Sequence, residues 1–217
     1  MARMDTSNLK SFSLTHFQYE DGDTLGQFLA LISLVPIFFI VMETTIVLSR
    51  RELAGVVLLL GQLLNELVNF VLKELIREER PHLELGDGFG MPSSHAQFMG
   101  FFLAYTVLYL EMRVTTDRVH TRLVQLGALV LAILVAVSRV YLNYHTAMQV
   151  AAGAIVGLAA GAGWFGATET VFFGSGIAGW VLDTRLCRWL LVRDSRSVPD
   201  IARREYELSQ TSKHKSE

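Results

Sequence analysis

The stretch Gly90-Met-Pro-Ser-Ser-His-Ala-Gln-Phe-Met99 is a short polar island between long apolar runs. Runs of about 20 apolar residues are long enough to cross a hydrocarbon layer of ~30 Å as helices. The approximate ranges of the apolar runs are 25–48, 53–72, 96–112, 123–137 and 150–167. The pattern therefore predicts an all-α fold, a polytopic membrane helical bundle of about five transmembrane helices.

The hydrophobic fraction of the chain is unremarkable by itself, and the net charge gives no indication of a nucleic-acid binder. The chain has 217 residues, of which 51% are hydrophobic, and its mean hydropathy is +0.37. The formal net charge of −2 provides no global basic field, so we expect membrane lipids and no nucleic acid as partners. Cys187 is the single cysteine, so no disulfide forms within the chain.

Polar and small residues inside the apolar runs indicate packing against other helices. Pro36 lies in the first run, where a membrane helix tolerates a kink. Gly157-x-x-x-Gly161 in the fifth run favours packing within the subunit over dimerisation. Several residues of the second run should also face other helices, because exposing them to lipid is costly. They are Gln62, Asn65, Glu66 and Asn69.

The runs divide the chain into segments. Residues 1–23 form a polar N-terminal arm, and residues 24–167 form the transmembrane core. Residues 168–192 are apolar but interrupted by charges, which favours an interfacial or partly inserted helix over a sixth crossing. Residues 193–217 form a polar tail, which we expect to be disordered.

Five crossings place the loop 73–94 and the segment 138–149 on the same side of the membrane. The opposite side then carries basic residues, which favour the cytoplasm. They include Arg50, Arg51, Arg113, Arg118 and Arg122. The polar clusters should therefore face the lumen or exterior, and the tail should be cytoplasmic. Lys213 and Lys215 resemble a dilysine retrieval signal of the endoplasmic reticulum membrane; an ordinary charged tail is the alternative.

The first polar cluster is Lys73-x6-Arg80-Pro81. Seven residues make about two helical turns, so the two cations would point the same way on a helix. Pro81 disfavours helix at Arg80 and is expected to mark the helix end. Together the cations would hold an anion with several oxygens, since a guanidinium group matches phosphate. The alternative is that both are ordinary cations flanking a membrane helix.

The second cluster, Ser93-Ser94-His95, precedes the third apolar run. Ser93 or Ser94 is suited to cap the helix that begins there, and amides at a helix start bind anions. His95 in the first turn would be placed to donate a proton to a leaving oxygen. A capped helix with an interfacial histidine is the alternative.

The third cluster is Ser138-Arg139-x5-His145. A separation of six does not align on a regular α-helix, so the chain should bend or end between Arg139 and His145. Gln149 is four residues after His145, within contact on a helix. A Gln oxygen that accepts from one imidazole nitrogen leaves the other as a nucleophile. An Arg and a His at the membrane interface are the alternative.

The clusters together supply what phosphoryl transfer requires, namely cations around the phosphate, a positioned nucleophile and a proton donor. The set needs neither a metal nor another cofactor. Acidic residues nearby leave a magnesium site as an open alternative. They are Glu78, Glu79, Glu84 and Asp87.

The motifs Lys73-x6-Arg80-Pro81, Pro92-Ser-Ser-His95 and Ser138-Arg139-x5-His145 resemble the three-part signature of the type 2 phosphatidic acid phosphatase/haloperoxidase superfamily. The resemblance covers residues 73–149. It implies a metal-independent phosphatase in which His145 forms a phosphohistidine and His95 protonates the leaving group. It also implies a set of phosphate-binding residues. These are Lys73, Arg80, Arg139 and Ser94, with support from Ser93 and Gln149.

Two positions depart from the usual signature. Ser94 stands where the family usually has Gly, and Gln149 stands where it usually has Asp. Gln149 is able to orient His145 by a hydrogen bond but not to stabilise an imidazolium by charge. The strings 90–99 and 138–146 resemble the dolichyl diphosphatases of the eukaryotic endoplasmic reticulum.

The resemblance to dolichyl diphosphatases implies a substrate and a biological role. The substrate would be dolichyl diphosphate, hydrolysed at the lumenal face to dolichyl phosphate and phosphate, which recycles the lipid carrier of protein N-glycosylation. A lipid phosphate phosphatase for phosphatidate or sphingoid phosphates is one alternative. A non-catalytic lipid-binding protein of the same fold is the other, and Gln149 is the residue that most favours it.

Overall fold

The computed structural model describes residues 18–19, 21–82, 88–114, 118–198 and 201–214, except the side chains of 201–203 and 212–214. The described chain is helical, which confirms the all-α prediction. Its α-helices are α1 (Thr24–Ile32), α2 (Val35–Arg50), α3 (Leu53–Ile76), α4 (Ser94–Arg113), α5 (Arg118–Tyr141), α6 (Ala147–Ala167), α7 (Ile177–Leu182), α8 (Arg185–Leu190) and α9 (Ile201–His214). A π-helical segment, Thr168–Phe173, continues α6.

Some of the predicted features lie outside the described residues. Glu84 and Asp87 belong to this group, as do Lys215 and the side chain of Lys213. Most of the N-terminal arm, residues 1–17, does too.

Four segments are long and apolar enough to cross a membrane. They are Thr24–Arg50, Leu53–Ile76, Arg118–Tyr141 and Ala147–Phe173. The 20 residues of α4 would extend about 30 Å, which makes α4 the fifth helix of membrane-spanning length. α4 packs against α2, α3, α5 and α6, so neighbouring helices cover it. The chain is therefore a multi-pass membrane protein with α4 at its centre.

The first apolar run is one membrane-spanning segment that is interrupted next to its proline, where a turn at Ser33 and Leu34 separates α1 from α2. Pro36 has no N–H and lies in the first turn of α2. The Ile37 amide donates to Leu34 O (3.0 Å) and not to Ser33 O, so the helical ladder is interrupted at Ser33. The break places Ser33 at 0% exposure, with its backbone carbonyl released from that bond.

Polar side chains of α3 pair with α4, as predicted for residues that avoid lipid. Gln97 Nε2 donates to Asn65 Oδ1 (2.9 Å), and Asn69 Nδ2 donates to Gln97 Oε1 (2.8 Å). Asn69 Nδ2 also donates to Pro92 O (3.2 Å). Gln62, Asn65 and Asn69 are buried. These bonds fix the loop before α4 to the last turns of α3.

A glycine stripe on α6 lets its backbone approach α4. A Cβ on Gly157 would overlap the carbonyl of Gln97, and one on Gly161 would overlap the carbonyl of Phe101. Gly153 meets Ser93 O in the same way. The prediction that these glycines pack within the subunit is confirmed, because α4 is their partner.

The region after α6 differs from the single interfacial helix that the sequence predicts. α7 and α8 have six residues each, a length of about 9 Å, so neither crosses a membrane. The prediction of a disordered tail is wrong for the described residues. Arg193 forms a β-bridge with Glu52, and α9 follows it.

Candidate active site

Lys73 and Arg80 reach the site from different elements. α3 ends with Lys73 in its last turn and Arg77 in the left-handed region (φ 54°). The prediction that Pro81 marks the helix end, with both cations on one helix face, is therefore wrong. Arg80 lies in the loop, where its Nε donates to Gly88 O (3.3 Å). Lys73 and Arg80 still interact electrostatically across the end of α3.

The start of α4 forms the second side of the site. Ser93 is the N-cap residue, and Ser94 begins the helix. The Ser93 side chain makes no capping bond, so the predicted cap is not formed. Its Oγ is buried and has no hydrogen-bond partner among the described residues. The first-turn amides of a helix lack intrahelical acceptors, so this corner offers donors to an anion.

His95 and Arg139 meet at Ser33, a residue that sequence reasoning missed. The His95 imidazole hydrogen-bonds to the backbone of Ser33. Arg139 Nη1 donates to Ser33 Oγ (3.2 Å), and Ser138 Oγ lies 3.0 Å from the same oxygen. The break before Pro36 creates this contact point. No local motif around Ser33 signals it, because its partners are more than 60 residues away along the chain.

The chain turns sharply after α5, which brings His145 next to Arg139. Asn143 has φ 58°, and the amides of Tyr144 and His145 both donate to Arg139 O (3.1 Å each). The Arg139 guanidinium stacks 4.1 Å from the centre of the Tyr144 ring. The predicted bend between Arg139 and His145 is thus confirmed. Tyr144 was missed, although an aromatic ring next to the third polar cluster is a detectable signal.

Gln149 orients His145. The Nδ1 atom of His145 lies 3.2 Å from Gln149 Oε1. The amide orientation is fixed, because Gln149 Nε2 faces two acceptors, Glu78 Oε1 and Glu79 O, at 2.8 Å each. Oε1 is therefore the acceptor, Nδ1 carries the proton, and Nε2 of the imidazole holds the lone pair. Thr146 completes a capping box with Gln149 at the start of α6.

His145 is neutral in this environment. It is 2% exposed. Burial, joined by the positive charges of Arg80, Arg139 and Lys73, lowers the pKa of His145 to about 3. His95 also interacts electrostatically with Arg139, Lys73 and His145. The structure thus brings together two histidines and three cations that the sequence places in three separate motifs.

The described residues contain no group of three or more His, Cys, Asp or Glu side chains that could hold a metal ion. Of the acidic residues considered for magnesium, Glu78 hydrogen-bonds to Gln149 instead. Its pairing with Gln149 was missed by sequence reasoning, since the two residues are separated by 71 positions.

The family model of the PAP2 superfamily matches residues 54–172, more than half of the chain. The chain belongs to the PAP2 superfamily. All three motifs fall within the matched range, and the three-part resemblance is confirmed. The chain is a hydrolase of this superfamily, a lipid phosphatase set in a bundle of membrane helices.

Individual members of the PAP2 superfamily are similar over most of the chain. Human "Dolichyldiphosphatase 1" is 39% identical over 207 residues, covering 89% of this chain and 85% of the relative. "Lipid phosphate phosphatase gamma" of Arabidopsis thaliana is 36% identical, covering 92% of this chain and 90% of the relative.

A solved structure supports the PAP2 fold. It is the crystal structure of the transmembrane PAP2 type phosphatidylglycerolphosphate phosphatase from Bacillus subtilis. The TM-score is 0.59 at 26% identity, over 69% of this chain and 79% of the other. The helical bundle predicted from the apolar runs is therefore the PAP2 bundle.

Proposed function

We propose that this chain hydrolyses dolichyl diphosphate to dolichyl phosphate and phosphate, with His145 as the nucleophile. The observation that carries the proposal is the neutral His145, held by Gln149 beside Lys73, Arg80 and Arg139. The 39% identity to human dolichyldiphosphatase 1 supports the choice of substrate. The product would return to the lipid-carrier cycle of protein N-glycosylation.

The cations bind the terminal phosphate in this proposal. Lys73, Arg80 and Arg139 surround its oxygens and neutralise charge that spreads in the transition state. Ser93 Oγ, which has no partner among the described residues, and the first-turn amides at Ser94 supply further donors. Preorganised donors of this kind typically contribute about 10²–10³-fold each to the rate.

The two histidines divide the chemistry. The Nε2 lone pair of His145 attacks the terminal phosphorus, while the bond from phosphorus to the bridging oxygen breaks. His95 gives a proton to that oxygen, so dolichyl phosphate leaves. In the second step His95 takes a proton from water, and the resulting nucleophile releases phosphate from His145. No step draws on a metal or other cofactor.

We further propose how the segments lie in the cell. Residues 24–167 form the membrane core in the endoplasmic reticulum, with the site lumenal and the tail, 193–217, cytoplasmic. The basic residues on the opposite side from the site support this orientation. Residues 168–192 lie at the cytoplasmic interface, where Trp180 and Trp189 are 72% and 78% exposed. The arm, 1–23, precedes the first crossing.

The first experiment measures phosphate release by the detergent-purified protein from dolichyl diphosphate, phosphatidate and dolichyl phosphate, with excess chelator. We expect the diphosphate to be the preferred substrate and chelator to leave the rate unchanged. Preference for phosphatidate would instead favour the lipid phosphate phosphatase alternative, which the Arabidopsis relative's name supports. No release from any of them by folded protein would favour the non-catalytic alternative.

Replacing His145 with Ala tests the nucleophile. Without Nε2 no phosphohistidine forms, so we expect turnover to fall to the level of a blank, while His95→Ala lowers kcat by about 10²–10⁴-fold. Incubation with ³²P-labelled substrate and alkaline quenching should trap a labelled wild-type protein but not a labelled His145→Ala protein. The matched control is His120→Ala, an exposed histidine of α5. Wild-type turnover by His145→Ala would refute the mechanism.

A further inference from the structure

The Gln149 amide uses all of its hydrogen-bonding capacity. Its oxygen faces His145 Nδ1 (3.2 Å) and accepts from the amide of Thr146 (3.2 Å). Its nitrogen donates to Glu78 Oε1 and to Glu79 O, each at 2.8 Å. Because a primary amide offers two lone pairs and two N–H groups, this set saturates it. The side chain at 0% exposure therefore has a fixed direction, from Glu78 to His145.

Glu78 is held in place by its own backbone. Arg77 in the left-handed conformation ends α3 and turns the chain toward the site. Glu78 O then accepts from the amide of Gly90 (2.7 Å), at the start of the polar island. A Cβ on Gly90 would lie 2.7 Å from both amide atoms of Gln149. Gly90 thus allows the close approach by which Glu78 and Gln149 meet.

We propose that Glu78 is a positioning residue for His145, acting through Gln149. Its carboxylate accepts from Gln149 Nε2, which polarises the amide and makes Oε1 a stronger acceptor for Nδ1–H of His145. The chain thereby supplies negative charge that Gln149, standing where the signature usually has Asp, lacks. The inference rests on the proposed role of His145 as nucleophile.

The negative charge of Glu78 would offset the positive charge that develops on His145 during the reaction. His145 faces Lys73 of α3, Arg80 of the loop, His95 of α4 and Arg139 of α5. These groups favour an anionic phosphate but oppose positive charge on the imidazole. When the Nε2–P bond forms and the bond to the leaving oxygen breaks, positive charge appears on the ring. The proton stays on Nδ1, and His95 protonates the leaving group. No proton therefore moves along the chain of hydrogen bonds from Glu78 through Gln149 to His145, which we call the relay.

A charge exchange between Glu78 and Gln149 tests the relay. Glu78→Gln removes the charge, and we expect kcat for dolichyl diphosphate to fall about 10-fold with KM changed less than about 2-fold, as for loss of one charge-assisted hydrogen bond. Gln149→Glu is nearly isosteric but places a second carboxylate against that of Glu78. Because the two negative charges repel each other, its kcat should fall further. Glu78→Gln combined with Gln149→Glu restores a donor–acceptor pair, and its kcat should exceed that of Gln149→Glu by about 10-fold.

The matched control is Glu79→Gln, because Gln149 Nε2 donates to the backbone carbonyl of Glu79, which this substitution leaves in place. Its kcat should equal the wild-type value. Circular dichroism and gel filtration verify that each variant is folded. If Gln149→Glu fails to fold, the comparison of Glu78→Gln with Glu79→Gln decides alone.

The outcomes separate the relay from the proposed function. Wild-type kcat in Glu78→Gln, or a double variant no better than Gln149→Glu, overturns the relay while substrate turnover and the His145→Ala result stand. If the wild type prefers phosphatidate, the same variants test the relay on phosphatidate. Absence of turnover of any substrate by folded wild-type protein overturns both.

Discussion

At the scale of single residues, His145 combines burial with a cationic neighbourhood, and the consequence is an imidazole that stays neutral near pH 7. An ordinary imidazole has a pKa of about 6.5. In the folded protein the value is about 3, first because the ring is buried and second because Arg80, Arg139 and Lys73 are near. Between these values the unfolded chain binds a proton at His145 and the folded chain does not.

This difference predicts a pH dependence of stability. Above about pH 6.5 His145 is neutral in both states, so the proton makes no contribution. As pH falls from 6.5 toward 3, protonation favours the unfolded chain, at about 1.4 kcal/mol per pH unit. Relative to His145→Gln, the wild type should therefore lose about 2 kcal/mol of unfolding free energy between pH 7.5 and 5.

The measurement is the difference in Tm between wild type and His145→Gln in the same detergent at both pH values. Other titrating groups are common to the two proteins and largely cancel. We expect the Tm of the wild type to fall relative to that of the variant at pH 5. A constant difference in Tm would mean that His145 already has an ordinary pKa in the folded state.

At the scale of helices, the glycine stripe of α6 sets the distance to α4 and so the position of His95 in the first turn of α4. Gly157→Ala should lower stability by about 1–3 kcal/mol, because a Cβ there overlaps the Gln97 carbonyl and overpacks the interface. Gly163→Ala is the control, since a Cβ at Gly163 meets no atom within 4 Å. That variant should keep or raise the Tm, since Ala is the better helix former.

Thermal unfolding of both variants in detergent measures the contrast. Equal changes in Tm at Gly157 and Gly163 would show that α4 and α6 adjust without cost. The comparison isolates the interface, because both substitutions add the same methyl group to the same helix.

Helices were also where sequence reasoning succeeded and failed for physical reasons. Hydrophobic run length predicted the crossings, and lipid cost predicted that Asn65 and Asn69 face α4. Helical periodicity failed at Arg80, because a left-handed Arg77 ends α3 earlier than Pro81 requires. The roles of Ser33 and Glu78 follow from long-range contacts, which local pattern does not encode.

At the scale of the whole molecule, the candidate site lies at one end of the bundle and the contacts of the C-terminal segment lie at the other. The site lies where α3 ends, whereas Glu52 precedes the start of α3, about 36 Å away along a helix of 24 residues. At this far end Arg193 joins the α2–α3 connection: its amide donates to Arg51 O (2.9 Å), and its carbonyl accepts from the Leu53 amide (2.8 Å). The chain after the last membrane helix is thus hydrogen-bonded to the connection between α2 and α3.

Glu52 is the centre of these contacts. Its Oε1 accepts from Arg193 Nε (2.7 Å) and Ser195 Oγ (2.8 Å), and its Oε2 accepts from the Ser195 amide (3.2 Å). Hydrogen bonds to a charged group contribute about 1.5–3 kcal/mol each when they are shielded from water. The Glu52 side chain is 19% exposed, so part of this contribution is retained.

Replacing Glu52 with Ala should therefore lower the Tm by several degrees, on the scale of about 2–4 °C per kcal/mol for a chain of this size. The matched control is Arg50→Ala, which removes an exposed pair with Glu205 (2.8 Å) worth at most about 1 kcal/mol. Because both residues lie at the end remote from His145, neither variant should change kcat by more than about 2-fold when assayed well below its Tm. A loss of kcat in Glu52→Ala at full folding would mean that the two ends of the bundle are coupled, and a Tm equal to that of Arg50→Ala would mean that the tail contact does not hold the helices together.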